Sequence, residues 1–223
     1  MFVVKMDNIK DTIQYYRDRA IIYDESAGYN DPDSEILRKP LIELLRKKLY
    51  NRKVIEIACG TGFWTELIAS STQSVYAIDI DEGMLSIAKE RCRTHKNVSF
   101  NKGDIFDFKQ IQMTFNAAFH HFWFSHIPKS EIANFLNIQH SLLSSDSIVI
   151  MADNIFHETY DDFVEDGNRF ELRNLPNGRE YKVLKNLYSV DELHNILHKY
   201  SSNVQIELTE DSKMWIAIYY INR

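Results

Sequence analysis

The stretch Lys53-Val-Ile-Glu-Ile-Ala-Cys-Gly-Thr-Gly-Phe-Trp64 leaves a chain few folds to choose from. It opens with Val54, Ile55 and Ile57, an apolar β-branched run that reads as a strand buried on both faces, as in a parallel sheet. The run breaks at Ala58-Cys59-Gly60-Thr61-Gly62. A helical pattern follows at once, with Trp64, Leu67 and Ile68 sharing a face. Strand, tight glycine turn and helix together bring bare backbone N–H groups close to a ligand.

Two details narrow the ligand. A dinucleotide fingerprint needs three glycines spaced G-x-G-x-x-G. Counted from Gly60 the third place is Thr65, and counted from Ala58 it is Phe63, so the pattern fails in both registers. Glu56 stands at the strand end just before the turn. A carboxylate there repels a pyrophosphate and attracts an ammonium or sulfonium group. The turn resembles the first motif of the class I S-adenosylmethionine-dependent methyltransferases, (D/E)-x-G-x-G-x-G, with Ala58 replacing the first glycine. One methyl group is the smallest departure, and the loop is expected to keep its shape.

Further acids follow at strand ends. Ser74-Val-Tyr-Ala-Ile-Asp79 is a second buried strand, and Asp79 has the spacing of the acid that accepts from ribose hydroxyls. Asp79-Ile-Asp-Glu-Gly-Met-Leu85 resembles the family's second motif, with Asp81 as helix N-cap and Met84, Leu85 and Ala88 turned inward. After the third strand, from Val98, Asp104 takes the place of the family's adenine-reading acid, with the Ile105 N–H beside it. Glu56, Asp79 and Asp104 should therefore face one crevice of an open parallel sheet. The resemblance implies a Rossmann-like α/β fold: a doubly wound seven-stranded sheet, mostly parallel, with one antiparallel strand near the edge. It implies S-adenosyl-L-methionine as cofactor and S-adenosyl-L-homocysteine as product. The implied cofactor contacts are Arg19, Tyr23, Glu56, Ala58, Cys59, Gly60, Thr61, Asp79, Ile80, Met84, Asp104, Ile105, Phe119 and His120.

The rest of the chain is read as elaboration of a single domain over residues 1–223. Ile9, Ile13, Tyr16, Ala20 and Tyr23 step by four and three along one helical face. Tyr15-Tyr-Arg-Asp-Arg-Ala-Ile-Ile-Tyr-Asp24 resembles the N-terminal helix of small-molecule methyltransferases, so residues 1–50 form an expected helical cap. Residues 28–32 read as a loop, and Ile36 to Leu49 as a second helix that Pro40 kinks or starts. Phe115 to His126 is the fourth strand and its exit, and Pro128 opens a helix carrying Ile132, Phe135, Leu136 and Leu143. Ser147–Asp153 is the fifth strand. Residues 154–188 run acidic and polar, with Asn177-Gly178 as a hairpin turn, and are expected to be a lid. Ser189-Val-Asp-Glu192 is a capping box, and two closing strands form an antiparallel pair.

Composition excludes other classes. The net charge of −6 argues against a DNA- or RNA-tracking surface. No apolar run is long enough for a membrane span, the N-terminus lacks a signal-peptide pattern, and two cysteines make no disulfide framework. The expected compartment is therefore the cytoplasm. Methyl transfer to a hydroxyl or ammonium needs a proton acceptor near the methyl group. The candidates are His126, His121 and Tyr16, with His120 further back. A metal site from the histidines is not expected, because His120 and His121 point to opposite faces of a strand. If the acceptor were an acid, Arg169, Arg173 or Arg179 could clamp it. The acceptor is expected to be a small molecule, with protein or RNA methylation and catalytically silent cofactor binding as alternatives, and the oligomeric state open.

Overall fold

A computed structural model describes residues 7–107, 113–156 and 162–221. The first six residues of the expected cap, and residues 157–161 of the expected lid with Asp161 among them, lie outside the described residues. The expected sheet is present: seven strands in the order β3-β2-β1-β4-β5-β10-β9. They are β1 (Lys53–Ile57), β2 (Ser74–Asp79), β3 (Val98–Lys102), β4 (Phe115–His121), β5 (Leu143–Asn154), β9 (Val204–Leu208) and β10 (Met214–Tyr220). β1 to β5 pair in parallel, and β10 runs antiparallel to both neighbours. The order reverses between β1 and β4, which opens a crevice past their carboxyl ends.

Both faces of the sheet are covered. On one, Val54, Val75 and Phe119 pack with Leu45 of α3 (Pro32–Lys48), Ile68 of α4 (Phe63–Ala69) and Leu85 of α5 (Glu82–Arg91). On the other, Ile55, Ile57 and Trp215 pack with Phe135 of α6 (Ile132–Ser141) and Leu193 of α7 (Val190–Leu197). This is why β1 has no polar face: every residue after Lys53 is buried. Local signals set the helix starts. The Asp31 carboxylate accepts from the Ser34 N–H, so α3 begins at Pro32 and Pro40 lies within it. Ser189 and Glu192 close the reciprocal capping box of α7. Leu143, read as helical, instead begins β5, because it pairs with Phe115 ahead of a register shift.

Residues beyond β5 form a second sheet, β6 (Asp162–Glu165), β7 (Asn168–Asn174) and β8 (Glu180–Leu184), all antiparallel. Gly178, with φ 79°, turns β7 into β8. This sheet packs on α1 (Asp7–Arg19). Tyr181 donates to Asp18 at 2.6 Å, and the Leu184 N–H donates to Thr12 at 2.9 Å. Lys185 fastens the sheet to the main body through Asp153 at 3.0 Å and Ser125 at 2.8 Å.

Close helix packing depends on Gly62. It has φ 74°, and a side chain there would meet Ala88 Cβ at 2.8 Å and its Cα at 2.9 Å. Gly178 has open space around it. Gly62→Ala is expected to cost roughly 2–4 kcal/mol, left-handed strain plus overpacking. Gly178→Ala should cost about 1–2 kcal/mol, from strain alone. Urea denaturation of both variants measures the difference.

Candidate active site

The glycine turn is a run of left-handed backbone. Ala58, Gly60 and Gly62 have φ of 55°, 53° and 74°. Ala58 therefore keeps the conformation that a glycine would adopt freely. The turn is tied to β2 by Asp79, whose carboxylate accepts from the Gly60 N–H at 2.8 Å and the Asp81 N–H at 2.9 Å. It is tied to the cap by Asp24, in the short helix α2 (Tyr23–Ser26), which accepts from the Thr61 hydroxyl at 2.6 Å and pairs with Arg91. Asp104 accepts from the Phe106 N–H at 3.0 Å, which orients its carboxylate.

The three acids line two adjoining cavities. Asp79 and Asp104 line a cavity at the switch point, together with Ala58, Gly60, Ile80, Met84 and Ile105. The same cavity reaches Tyr16, Tyr23, His121, Phe122, Trp123 and His126. Glu56, Cys59 and Thr61 line an adjoining cavity that shares Tyr23, Ala58, Gly60 and His121 with the first. Three expected contacts lie elsewhere. Phe119 is fully buried in the apolar layer under α3 and α4. His120 points to the opposite face, against Phe124 and Phe135. Alternation along β4 puts only His121 at the cavity. Arg19 lines neither cavity: it donates to Ser26 at 2.9 Å and lies over the Tyr23 ring. Phe122, with φ 52°, and Trp123 were not foreseen, although both directly follow the fourth strand, where a crevice must open.

Burial decides the electrostatics. It pushes the Glu56 carboxyl up to about 8, and one of its oxygens has no hydrogen-bond partner among the described residues. Burial also raises Asp79 to about 6, against the backbone N–H donors of Asp81 and Gly60. His121 and His126 are driven down to about 3 by burial, so both rings are neutral at neutral pH. In the same cavity Tyr16 and His126 Nε2 are 2.8 Å apart, and His126 Nδ1 meets the Leu184 carbonyl at 2.5 Å. The arginines expected to clamp an acid do not converge. Arg173 binds Glu171 at 2.6 Å, Arg179 binds Asp18 at 3.2 Å, and Arg169 lies over the Phe156 ring.

Residues 54–146 match the methyltransferase domain family. An uncharacterized methyltransferase of Oceanobacillus iheyensis is 24% identical over 66% of this chain and 68% of its own. A malonyl-[acyl-carrier protein] O-methyltransferase of Halalkalibacterium halodurans is 33% identical, but over 37% of this chain and only 34% of its own length. The solved DhpI–SAM–HEP complex superimposes with a TM-score of 0.79 at 25% identity, covering 94% of this chain and 96% of that one. Residues 54–146 therefore carry a methyltransferase domain, on a chain whose fold is that of S-adenosylmethionine-dependent methyltransferases.

The residues present suit that cofactor. Glu56 offers a buried, unpartnered oxygen to a cation, and Gly60 leaves open space where a side chain would stand. No helix among the described residues is long and apolar enough to cross a membrane.

Glu56 generates a pH dependence. Its value of about 8 lies above the ordinary 4.5, so ionising it costs the ligand-free fold stability as pH rises from 4.5 through 8. An ammonium group bound beside it would offset that cost. Affinity for S-adenosylhomocysteine should therefore rise with pH, by up to about tenfold per unit, and level off above pH 8. Glu56→Gln should flatten the rise and weaken binding at pH 8, as followed by calorimetric titration across the range.

Proposed function

We propose that this methyltransferase transfers the methyl group to an oxygen or nitrogen atom of a small molecule by in-line displacement. One observation carries the reading. The cavity lined by Asp79 and Asp104 is lined also by Tyr16 and His126, within apolar walls that include Ile9, Ile13, Phe122 and Trp123. Such a lining suits a compact acceptor better than a polymer surface.

When bound, S-adenosylmethionine supplies a methyl group on a cationic sulfur. The chain supplies position and field. Asp79 spends one lone pair of each oxygen on backbone N–H groups, which leaves acceptor capacity for ribose hydroxyls. Asp104 and the Ile105 N–H present an acceptor and a donor to the edge of an adenine ring. Glu56, with one oxygen unpartnered among the described residues, would hold the ammonium of the methionine portion. His121, with both ring nitrogens unpartnered among the described residues, stands where the two cavities meet. Tyr16 and His126 stand at the acceptor end, where apolar walls exclude water and strengthen every polar contact.

The test is incubation of the protein with methyl-labelled cofactor and fractionated small-molecule, protein and RNA pools. Label is expected in the small-molecule fraction. Label in protein or RNA would overturn the reading, and tight S-adenosylhomocysteine binding with no acceptor in any pool would mark a silent binding protein. Asp104→Asn should weaken S-adenosylhomocysteine about tenfold to a hundredfold, the loss of one charge-assisted hydrogen bond. NAD should not compete.

A further inference from the structure

The hydrogen-bond directions around Tyr16 are fixed by groups that can act in only one way. The Leu184 carbonyl can only accept, so His126 Nδ1, 2.5 Å away, carries a hydrogen. A neutral ring then has a bare lone pair on Nε2. Its neighbour at 2.8 Å is the Tyr16 hydroxyl, which must donate to it. The Arg173 guanidinium can only donate, and its Nη1 reaches the same Tyr16 oxygen at 3.4 Å. Arg173 is itself held by Glu171, which accepts from Nε at 2.9 Å and from Nη2 at 2.6 Å. Tyr16 therefore has one lone pair left, on a side chain that lines the cavity.

We infer that Tyr16 meets the acceptor as a hydrogen-bond acceptor, that Arg173 positions and polarises it from the second sheet, and that the acceptor therefore presents a protic group, a hydroxyl or an amine, rather than a carboxylate. This deepens the reading above and rests on it. The balance is direct. The X–H bond breaks and its proton passes to the Tyr16 oxygen. The Tyr16 proton passes to His126 Nε2, which becomes imidazolium. The X–C bond forms on the methyl carbon as the carbon–sulfur bond breaks, and its electron pair stays on sulfur. The sulfonium charge disappears as the imidazolium charge appears, so net charge is conserved within the cavity.

Tyr16 lies under opposing influences. Burial raises its hydroxyl above the ordinary tyrosine value, and the Arg173 charge and hydrogen bond pull it back. An ammonium from lysine could restore the charge without the fork to Glu171. A carboxylate acceptor would bring its negative oxygens against the Tyr16 lone pair, and it has no proton to give.

The test has two arms on the full-length chain. In the first, ¹⁵N spectra of labelled histidine report the His126 tautomer, and ¹³C spectra of tyrosine Cζ follow Tyr16 ionisation, both with S-adenosylhomocysteine bound. The expected result is an Nδ1-protonated ring whose Nε2 signal moves in Tyr16→Phe. Tyr16 should ionise at higher pH in Arg173→Gln and return towards wild type in Arg173→Lys. An Nε2-protonated ring, or a Tyr16 titration indifferent to Arg173→Gln, would overturn the inference.

In the second arm, labelled product from the extract is treated with mild alkali. Ethers and methylamines keep their label, whereas methyl esters release it as methanol. Retained label is expected, together with a loss of transfer of about 10²–10⁴-fold in Tyr16→Phe at unchanged S-adenosylhomocysteine affinity. Label released by alkali would overturn the inference while leaving the small-molecule reading intact. If no pool accepts label, the small-molecule reading fails and the first arm still decides how Tyr16 is held.

Discussion

The structure depends most on one carboxylate, that of Asp79, grasping two backbone N–H groups from different turns. By accepting from Gly60 at 2.8 Å and Asp81 at 2.9 Å, it locks the loop after the first strand to the loop after the second. The left-handed run Ala58, Gly60 and Gly62 gives the first loop the curvature to reach that acid. Gly62 then lets the helix after the loop touch Ala88 of its neighbour. A cavity bounded by acids, at the point where the strand order reverses, follows from these contacts.

The N-terminal helix completes that cavity and is held from two sides. Arg17 reaches Asp81 at 2.9 Å, on the side of the turn after β2. Thr12 and Asp18 bind the second sheet, on the other. The buried Lys185–Asp153 pair anchors the second sheet in turn. Asp153 also accepts from the Ser125 N–H at 2.9 Å, in the turn that carries His126. A buried ion pair is poor evidence for stability but serves well to fix geometry when each partner is satisfied. Here it ties β5, the Ser125 turn and the second sheet into one frame beside His126.

Much of this was legible in the sequence, for reasons that can be named. The buried strands announced themselves as short β-branched runs, and the glycine turn by its composition. Glu56, Asp79 and Asp104 could be placed because strand ends in a parallel sheet share an edge. His120 was misread because alternation tells which residues share a face, not which face meets the cavity; Phe119 shares the face of His121 but lies one step further down the strand, within the apolar layer. Leu143 was lost to a helix because its apolar side chain fits either period, and only pairing with Phe115 decided it. The second sheet was visible only as Asn177-Gly178. Its strands are charged and pack on a helix far away in the chain, so no local pattern marks their inner face. Arg173 was noticed for its charge, while its partners Glu171 and Tyr16 are set by tertiary structure alone.

The central claim is that the buried Glu56 carboxyl, at the end of the first strand, waits for a cationic ligand. ¹³C-carboxyl titration of Glu56, with and without saturating S-adenosylhomocysteine, addresses it most directly. Free protein should show Glu56 titrating near 8, and the complex should show it ionised across pH 6–8. An ordinary carboxyl value in the free protein, or the same curve in both states, would contradict the account.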